Sequence, residues 1–401
     1  MKYIFVLGQA SNLAKQEVLN ILAKDSKKNS IIGQNFILAE SEKTASQLIK
    51  TLGGTVKIAL FLDIIENLDQ LQLSTWQKYL EKNLSLTKKN FFGFSLYHGS
   101  NKEYQKISQL AFELKKTLKE KYKLRFVSSK KHELSSVIVS KNNLLGNELI
   151  IIKDQNHGTE EYFLGLTQSV QDFSAYGKRD MDRPERDSRS GMLPPKLAQM
   201  MLNLASTERN KTVLDPFCGS GTIIQEAFLL GYKKIYGSDR EQKAVTDSQK
   251  NIEWLRKNFS GQAQVEIKKI NVQNLSQHFK DKKIDLIVTE PYMGDARFVV
   301  RQHKIKQLEQ LKSDLQKLYY ESFSQFKKIL QPQGRVVFIF PIFNAEGERL
   351  YTLDENIISA LGFEKIKPDV KSDNLSIHDN IIYSRPGQKV EREISIWQNK
   401  L

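Results

Sequence analysis

A single cysteine, Cys218, stands in a chain of 401 residues. That excludes an internal disulfide and any zinc site built from several cysteines. The six histidines show no metal-ligand spacing, so no metal is expected. No stretch approaches the roughly 18 to 20 uninterrupted apolar residues that span a bilayer, and no membrane partner is expected. The opening run Met1 to Gly8 is apolar but soon meets Gln9, Ser11, Asn12 and Lys15. Without a small-residue cleavage site it reads as a strand, not a signal peptide. Repeats of fixed period and long low-complexity tracts are also missing. The expectation is a soluble protein of the reducing cytoplasm.

What is present points to several domains, because 401 residues exceed one ordinary core. Lys and Arg number 61 against 46 Asp and Glu, a net charge of +15. Such an excess gathers polyanions, although lysine-rich surfaces reach it without nucleic-acid function. The pattern changes near residues 170 to 190. Before it, short β-like runs (3–7, 31–38, 56–62, 91–97 and 149–152) alternate with helical stretches. One of these, 107–122, presents Ile107, Leu110, Ala111, Leu114 and Leu118 on one face. After residue 190 the rhythm is strand, turn, helix, strand. Strands are expected at 211–214, 234–236, 264–267, 285–289 and 335–340, with helices at 197–204, 219–230, 242–256 and 305–326. Such alternation implies an α/β domain whose sheet binds ligands at the carboxyl ends of its strands. Residues 182–196, rich in Arg and Pro, join the halves as a solvated linker or as a lid over the site.

The chemistry sits at three strand ends. Asp215, Pro216, Phe217, Cys218, Gly219, Ser220, Gly221 and Thr222 form a loop between a strand and a helix. Its glycines permit a tight turn and close approach to a ligand. No Gly-Lys-Ser/Thr follows, so it is not a phosphate cradle. Asp215 suits a ligand carrying a cationic sulfonium. Asp239, 24 positions on, can accept from two ribose hydroxyls or cap the next helix. Asn271 and Val272 border an adenine or form a surface turn. Thr289, Glu290, Pro291 and Tyr292 make the third element. An exocyclic amine on a base is a weak nucleophile, so its methylation needs acceptors for the amino hydrogens and an aromatic platform. Glu290, the carbonyl near Pro291, and Tyr292 are groups of that kind. Cys218 lies in the glycine loop, away from that turn. It therefore reads as a small buried residue, against the thiolate that carbon methylation needs.

With these residues in place, the second half resembles the amino-group methyltransferases of the Rossmann-like class. More narrowly, the chain resembles the THUMP-containing tRNA guanosine-N2 methyltransferases that modify position 10. Residues Arg183 to Asp187, Gly191 to Ala198, Phe163 to Thr167 with Gln171 and Asp172, Tyr383 to Pro386 and Arg392 to Ile394 are similar to that family's pattern. So are Tyr3 to Gly8 with Glu17. The resemblance implies a ferredoxin-like region at 1–60 and a THUMP-like RNA-binding domain at 61–175. A Rossmann-like domain with a seven-stranded, mostly parallel sheet would fill 176–401. It also implies S-adenosylmethionine as cofactor and tRNA as partner. Pro194 and Lys196 would border its methionine part, while Asp215, Gly219 and Asp239 bind it. The family usually carries Asp-Pro-Pro-Tyr-Gly where this chain has Glu290-Pro-Tyr-Met-Gly294. The acid is then Glu290 in a gap-free alignment, or Thr289 takes its place on alignment by Pro-Tyr. Asn271 also stands where an aspartate is common.

The expected reaction is direct in-line methyl transfer to guanosine N2. The alternatives are methylation of ribosomal RNA or DNA, and a catalytically silent RNA-binding protein. The motifs do not name a small activating protein partner.

Overall fold

The computed structural model describes residues 1–155, 160–186, 192–294, 305–370, 375–385, 388 and 390–400. Asp187, Gly191 and Pro386, named above, lie outside these. The chain divides into two compact units, one of residues 1–11 and 22–174, the other of 12–21 and 175–401. No helix among the described residues is long and apolar enough to cross a membrane.

The first unit is α+β. Its strands are β1 (Lys2–Leu7), β2 (Ile31–Ile32), β3 (Phe36–Glu40), β4 (Thr55–Ile65), β5 (Asn90–Tyr97), β6 (Leu124–Val127), β7 (Glu148–Asp154) and β8 (Glu161–Val170). They form one sheet in the order β2-β3-β1-β4-β8-β7-β5-β6. The run expected as one strand over 31–38 is two, β2 and β3, paired antiparallel to each other. Alternate residues of the strands feed separate apolar clusters, as a pleated sheet requires. Ile150, Ile152 and Phe163 pack with Ile4 and Phe36, and Leu149, Ile151 and Leu164 with Trp76 and Phe94. The expected amphipathic helix runs Asn101–Leu118. It starts six residues early because Ser100 and Glu103 form a reciprocal capping box.

The second unit holds β9 (Thr212–Asp215), β10 (Lys234–Asp239), β11 (Gln264–Lys269), β12 (Ile284–Thr289), β13 (Leu330–Ala345), β14 (Glu348–Tyr351), β15 (Phe363–Ile366), β16 (Ile381–Tyr383) and β17 (Val390–Asn399). Seven follow the path β11-β10-β9-β12-β13-β17-β15, while β14 pairs with β13 and β16 with β17. The sheet thus has nine strands among the described residues. It is mixed rather than mostly parallel: β9 to β13 pair in parallel, whereas β14 to β17 pair antiparallel. The β9 and β12 strands are buried along nearly their whole length because both sheet faces are covered. On one face the helix Ile305–Ile329 sets Leu315, Tyr319, Phe323 and Phe326 against Leu214, Ile287, Val336 and Phe338. The helix Pro195–Ala205 packs on β12 and β13. Pro195 opens it at a position where its missing N–H costs nothing.

The helix expected from Gly219 begins only at Thr222. Gly219 and Gly221 have φ of 50° and 85°, and two left-handed residues cannot sit inside a right-handed helix. Helix Ser11–Ile21 supplies residues 12–21 to the second unit. Its buried Glu17 accepts from Asn203 Nδ2 at 2.7 Å, and Gln16 pairs twice with Asp369.

Candidate active site at the ends of β9, β10 and β12

Strand order reverses direction at β9, which lies between β10 and β12. That is the switch point where parallel sheets bind ligands. Asp215, Asp239 and Thr289 are the last residues of these three strands. Parallel pairing in register therefore delivers them to one edge.

Asp215 is 2% exposed. Its Oδ1 accepts from the Thr289 hydroxyl at 2.7 Å and from the Phe217 N–H at 3.2 Å. Burial pushes its carboxyl up to about 7, and the charges of Asp239 and Glu290 add to this against those two hydrogen bonds. Asp239 ties the second strand end to the loop. Its Oδ2 accepts from the Gly219 N–H at 3.0 Å, and its Oδ1 from the Glu241 N–H at 3.0 Å. The Cys218 N–H donates to the Ser238 carbonyl at 2.9 Å. The two glycines have different surroundings. A Cβ on Gly221 would strike Ser248 Oγ at 2.2 Å, whereas one on Gly219 would meet nothing within 4 Å. The loop therefore packs through Gly221 and faces open space at Gly219. Pro216 is buried and Phe217 half-buried against the core.

Cys218 is buried. Burial, with the charges of Asp215 and Asp239, pushes its thiol well above the usual range, so it is held as a neutral thiol. That removes the thiolate carbon methylation would need.

Asn251 was not found from the sequence, yet it links two predicted elements. Its Nδ2 donates to the Ser220 carbonyl at 2.8 Å and the Glu185 carbonyl at 2.9 Å, and its Oδ1 accepts from the Glu185 N–H at 3.0 Å. Arg183 is buried and donates to Thr222 Oγ1 at 2.8 Å. Arg179 pairs with buried Glu226 at 2.6 Å. The reading of 182–196 as a solvated linker fails for Arg183, which is fastened to the glycine loop.

Beyond β12 the turn begins with Glu290, whose Oε1 accepts from Arg392 Nε at 2.6 Å. Burial raises the Glu290 carboxyl and Arg392 pulls it back. Pro291 is buried and Tyr292 is 46% exposed. The Tyr292 carbonyl accepts from the Tyr319 hydroxyl at 2.9 Å, and the Arg240 guanidinium lies 5.9 Å from the Tyr292 ring centre. Thr289 is fully buried and spends its hydroxyl on Asp215. The remaining candidates are less closely joined. Asn271 is exposed and caps the turn Val272–Asn274 through Gln273 N at 3.2 Å, while Val272 is buried. The strand end before them is held by Ile270 N–H to the Asp239 carbonyl at 3.0 Å. The Pro194 carbonyl accepts from Leu197 and Ala198. Lys196 is exposed, its Nζ 5.2 Å from the Tyr176 ring centre.

Three carboxyl groups at neighbouring strand ends, those of Asp215, Asp239 and Glu290, make an acidic cradle, with Glu290 offset by Arg392 and Asp215 pushed up to about 7 by burial. It disfavours a phosphate and suits a ligand with cationic groups. The residues therefore fit a sulfonium nucleoside, with Gly219 offering open backbone and Asp239 beside it.

Comparison with known proteins agrees at the level of chemistry. The UPF0020 family model, described as RMKL-like, methyltransferase domain, matches residues 183–346. The N6_N4_Mtase model, described as DNA methylase, matches residues 14–250. A tRNA (guanine(10)-N2)-dimethyltransferase of Methanothermobacter thermautotrophicus is 34% identical over 104 residues, 26% of this chain and 28% of that protein. One from Pyrococcus abyssi is 29% identical over 154 residues, 38% of this chain and 40% of that protein. The matched segments span well under half of these relatives. The structure of TrmN from Thermus thermophilus covers 100% of both chains with a TM-score of 0.54 and 16% identity, which shows a shared fold. Because the N6_N4_Mtase match spans more than half of the sequence, and the UPF0020 match lies over the site just described, the chain belongs to the methyltransferases of the N6_N4_Mtase family.

Proposed function

We propose that this protein transfers a methyl group from S-adenosylmethionine to the exocyclic N2 of guanosine in tRNA. The observation that carries the reading is the meeting of two elements at adjacent strand ends, the Asp215–Gly219–Asp239 cradle and the Glu290–Pro291–Tyr292 turn. The cofactor, when bound, supplies an electrophilic methyl on a positively charged sulfur. Asp215 and the loop from Pro216 to Thr222 would hold its cationic amino-acid portion, with Pro194 and Lys196 bordering it. Asp239 would accept from the ribose hydroxyls, and Asn271 and Val272 would border the adenine.

Glu290 and the carbonyl beside Pro291 accept the amino hydrogens of the target base, which turns the nitrogen lone pair toward the methyl. Tyr292, exposed at the turn, offers the ring on which an unstacked base rests. The nitrogen that accepts the methyl must lose one proton, which Glu290 or water would take up. The first unit is the tRNA-gripping module, of THUMP type, and the net charge of +15 favours that role. The names of the curated relatives support guanosine N2 as the target. A cytoplasmic location follows from a tRNA substrate.

The test is transfer of labelled methyl to unmodified tRNA, followed by digestion to nucleosides. Label in N2-methylguanosine supports the reading. Label confined to ribosomal RNA or to DNA adenine assigns the alternative substrates, and retained cofactor binding without any transfer assigns a silent RNA-binding protein.

A further inference from the structure

Glutamate at the catalytic turn carries its carboxylate one methylene further from the backbone than aspartate would. In this fold that reach is directed by a residue 102 positions away. Arg392 on β17 stands opposite Pro341 of β13 and Tyr383 of β16, fixed by backbone pairing on both sides. Its Nε donates to Glu290 Oε1 at 2.6 Å, and the two side chains are 10% and 12% exposed. The other titratable groups around Glu290 are Asp215 at the end of β9, Tyr319 on the helix Ile305–Ile329, and Tyr292 on the turn itself. Among the described residues, Arg392 is the cation acting on Glu290.

We propose that Arg392 is the positioning residue that makes the site select guanine: it holds Glu290 by one oxygen and presents the other as an ionised acceptor to the base edge. This rests on the methyl-transfer reading given above. Guanine places its N1–H beside the N2 amino group, two donors in a row. Adenine places an acceptor, N1, beside its N6 amino group. A carboxylate accepts from both guanine donors but meets the adenine N1 lone pair with like charge. A neutral carboxylic acid would reverse this, donating to adenine N1 and accepting from N6. The charge state that Arg392 maintains therefore distinguishes the two bases. Arg392 acts through Glu290 and needs no contact with substrate.

The experiment follows the Glu290 carboxyl carbon by NMR titration of the full chain, assigned by its loss in Glu290→Gln. It is repeated in Arg392→Met and in Arg392→Lys, the second variant keeping the charge should the first fail to fold. The titration midpoint is expected to rise by about one pH unit or more in Arg392→Met, and by less in Arg392→Lys. Hairpin RNAs carrying guanosine or adenosine at the target position are then methylated at pH 7. The guanosine preference is expected to fall roughly tenfold or more in Arg392→Met, through kcat more than KM, and to be partly restored in Arg392→Lys. An unchanged midpoint in both variants overturns the proposal, as does a raised midpoint with an undiminished guanosine preference. If the unaltered chain methylates no guanosine the functional reading fails, and the midpoint shift still decides whether Arg392 keeps Glu290 ionised.

Discussion

The Thr289 hydroxyl donates to Asp215 Oδ1 at 2.7 Å, and this bond fastens the carboxyl end of β12 to that of β9. Thr289 is fully buried, so it braces the cradle from behind, while Glu290, the next residue, pairs with Arg392. The threonine's hydroxyl is thereby committed to Asp215, which supports Glu290 over Thr289 as the acceptor proposed for the turn.

Asp215 should make stability fall with rising pH. Its carboxyl is pushed up to about 7, chiefly by burial, above an unfolded value of about 3.9. A group raised on folding contributes stability that is fully present below about pH 4 and is lost as pH rises through about 7. Urea midpoints measured from pH 4 to pH 7 should decline, and Asp215→Asn should flatten that decline. Parallel slopes in the two proteins would contradict the assignment.

The two loop glycines should respond differently to alanine. Both have positive φ, so each substitution costs about 1–2 kcal/mol in backbone strain. Gly221→Ala adds the collision with Ser248 and should lower Tm further. Gly219→Ala meets no neighbour, so its main effect should be on S-adenosylhomocysteine affinity, read by calorimetry. Equal Tm losses with unaltered affinity would remove Gly219 from the cradle.

Asn251→Ala breaks three hydrogen bonds joining Ser220 and Glu185. At about 1 kcal/mol each, a loss of roughly 2–3 kcal/mol is expected in urea unfolding. Cofactor affinity should weaken with it, because the loop loses its tie. A stability change within about 0.5 kcal/mol, the range of an ordinary surface substitution, would deny Asn251 that role.

What could be read in advance followed from local backbone rules. The strand-loop pattern at Asp215 was legible because the chain needs glycine for two positive-φ residues in three. The same glycines hid the helix start at Thr222, since apolar periodicity alone extends back through them. The antiparallel strands β14 to β17 were missed, and with them the pairing of Arg392 to Glu290. Nothing in local spacing links residues 102 apart in sequence; only the return of β17 beside β13 brings them together. Asn251 escaped for a similar reason. On its own helix it reads as one more polar residue, and its role appears only where Glu185 and Ser220 meet it.

Glu290→Ala should lower the rate of methyl transfer by about 10²–10⁴ while S-adenosylhomocysteine affinity changes little. Undiminished turnover would remove Glu290 from the chemistry. The variant also strands Arg392, a largely buried cation, so a stability loss of about 3–5 kcal/mol is expected alongside. A double variant, Glu290→Gln with Arg392→Met, should recover part of that loss without recovering activity.

The cradle and the Glu290 turn are proposed to methylate together the exocyclic amine of guanosine in tRNA. Nucleoside mass spectrometry of tRNA from cells with and without this protein tests it most directly. The account predicts N2-methylated guanosine in the first sample and its loss from the second. Identical N2-methylguanosine in both, or a difference confined to methylated adenosine, would contradict it.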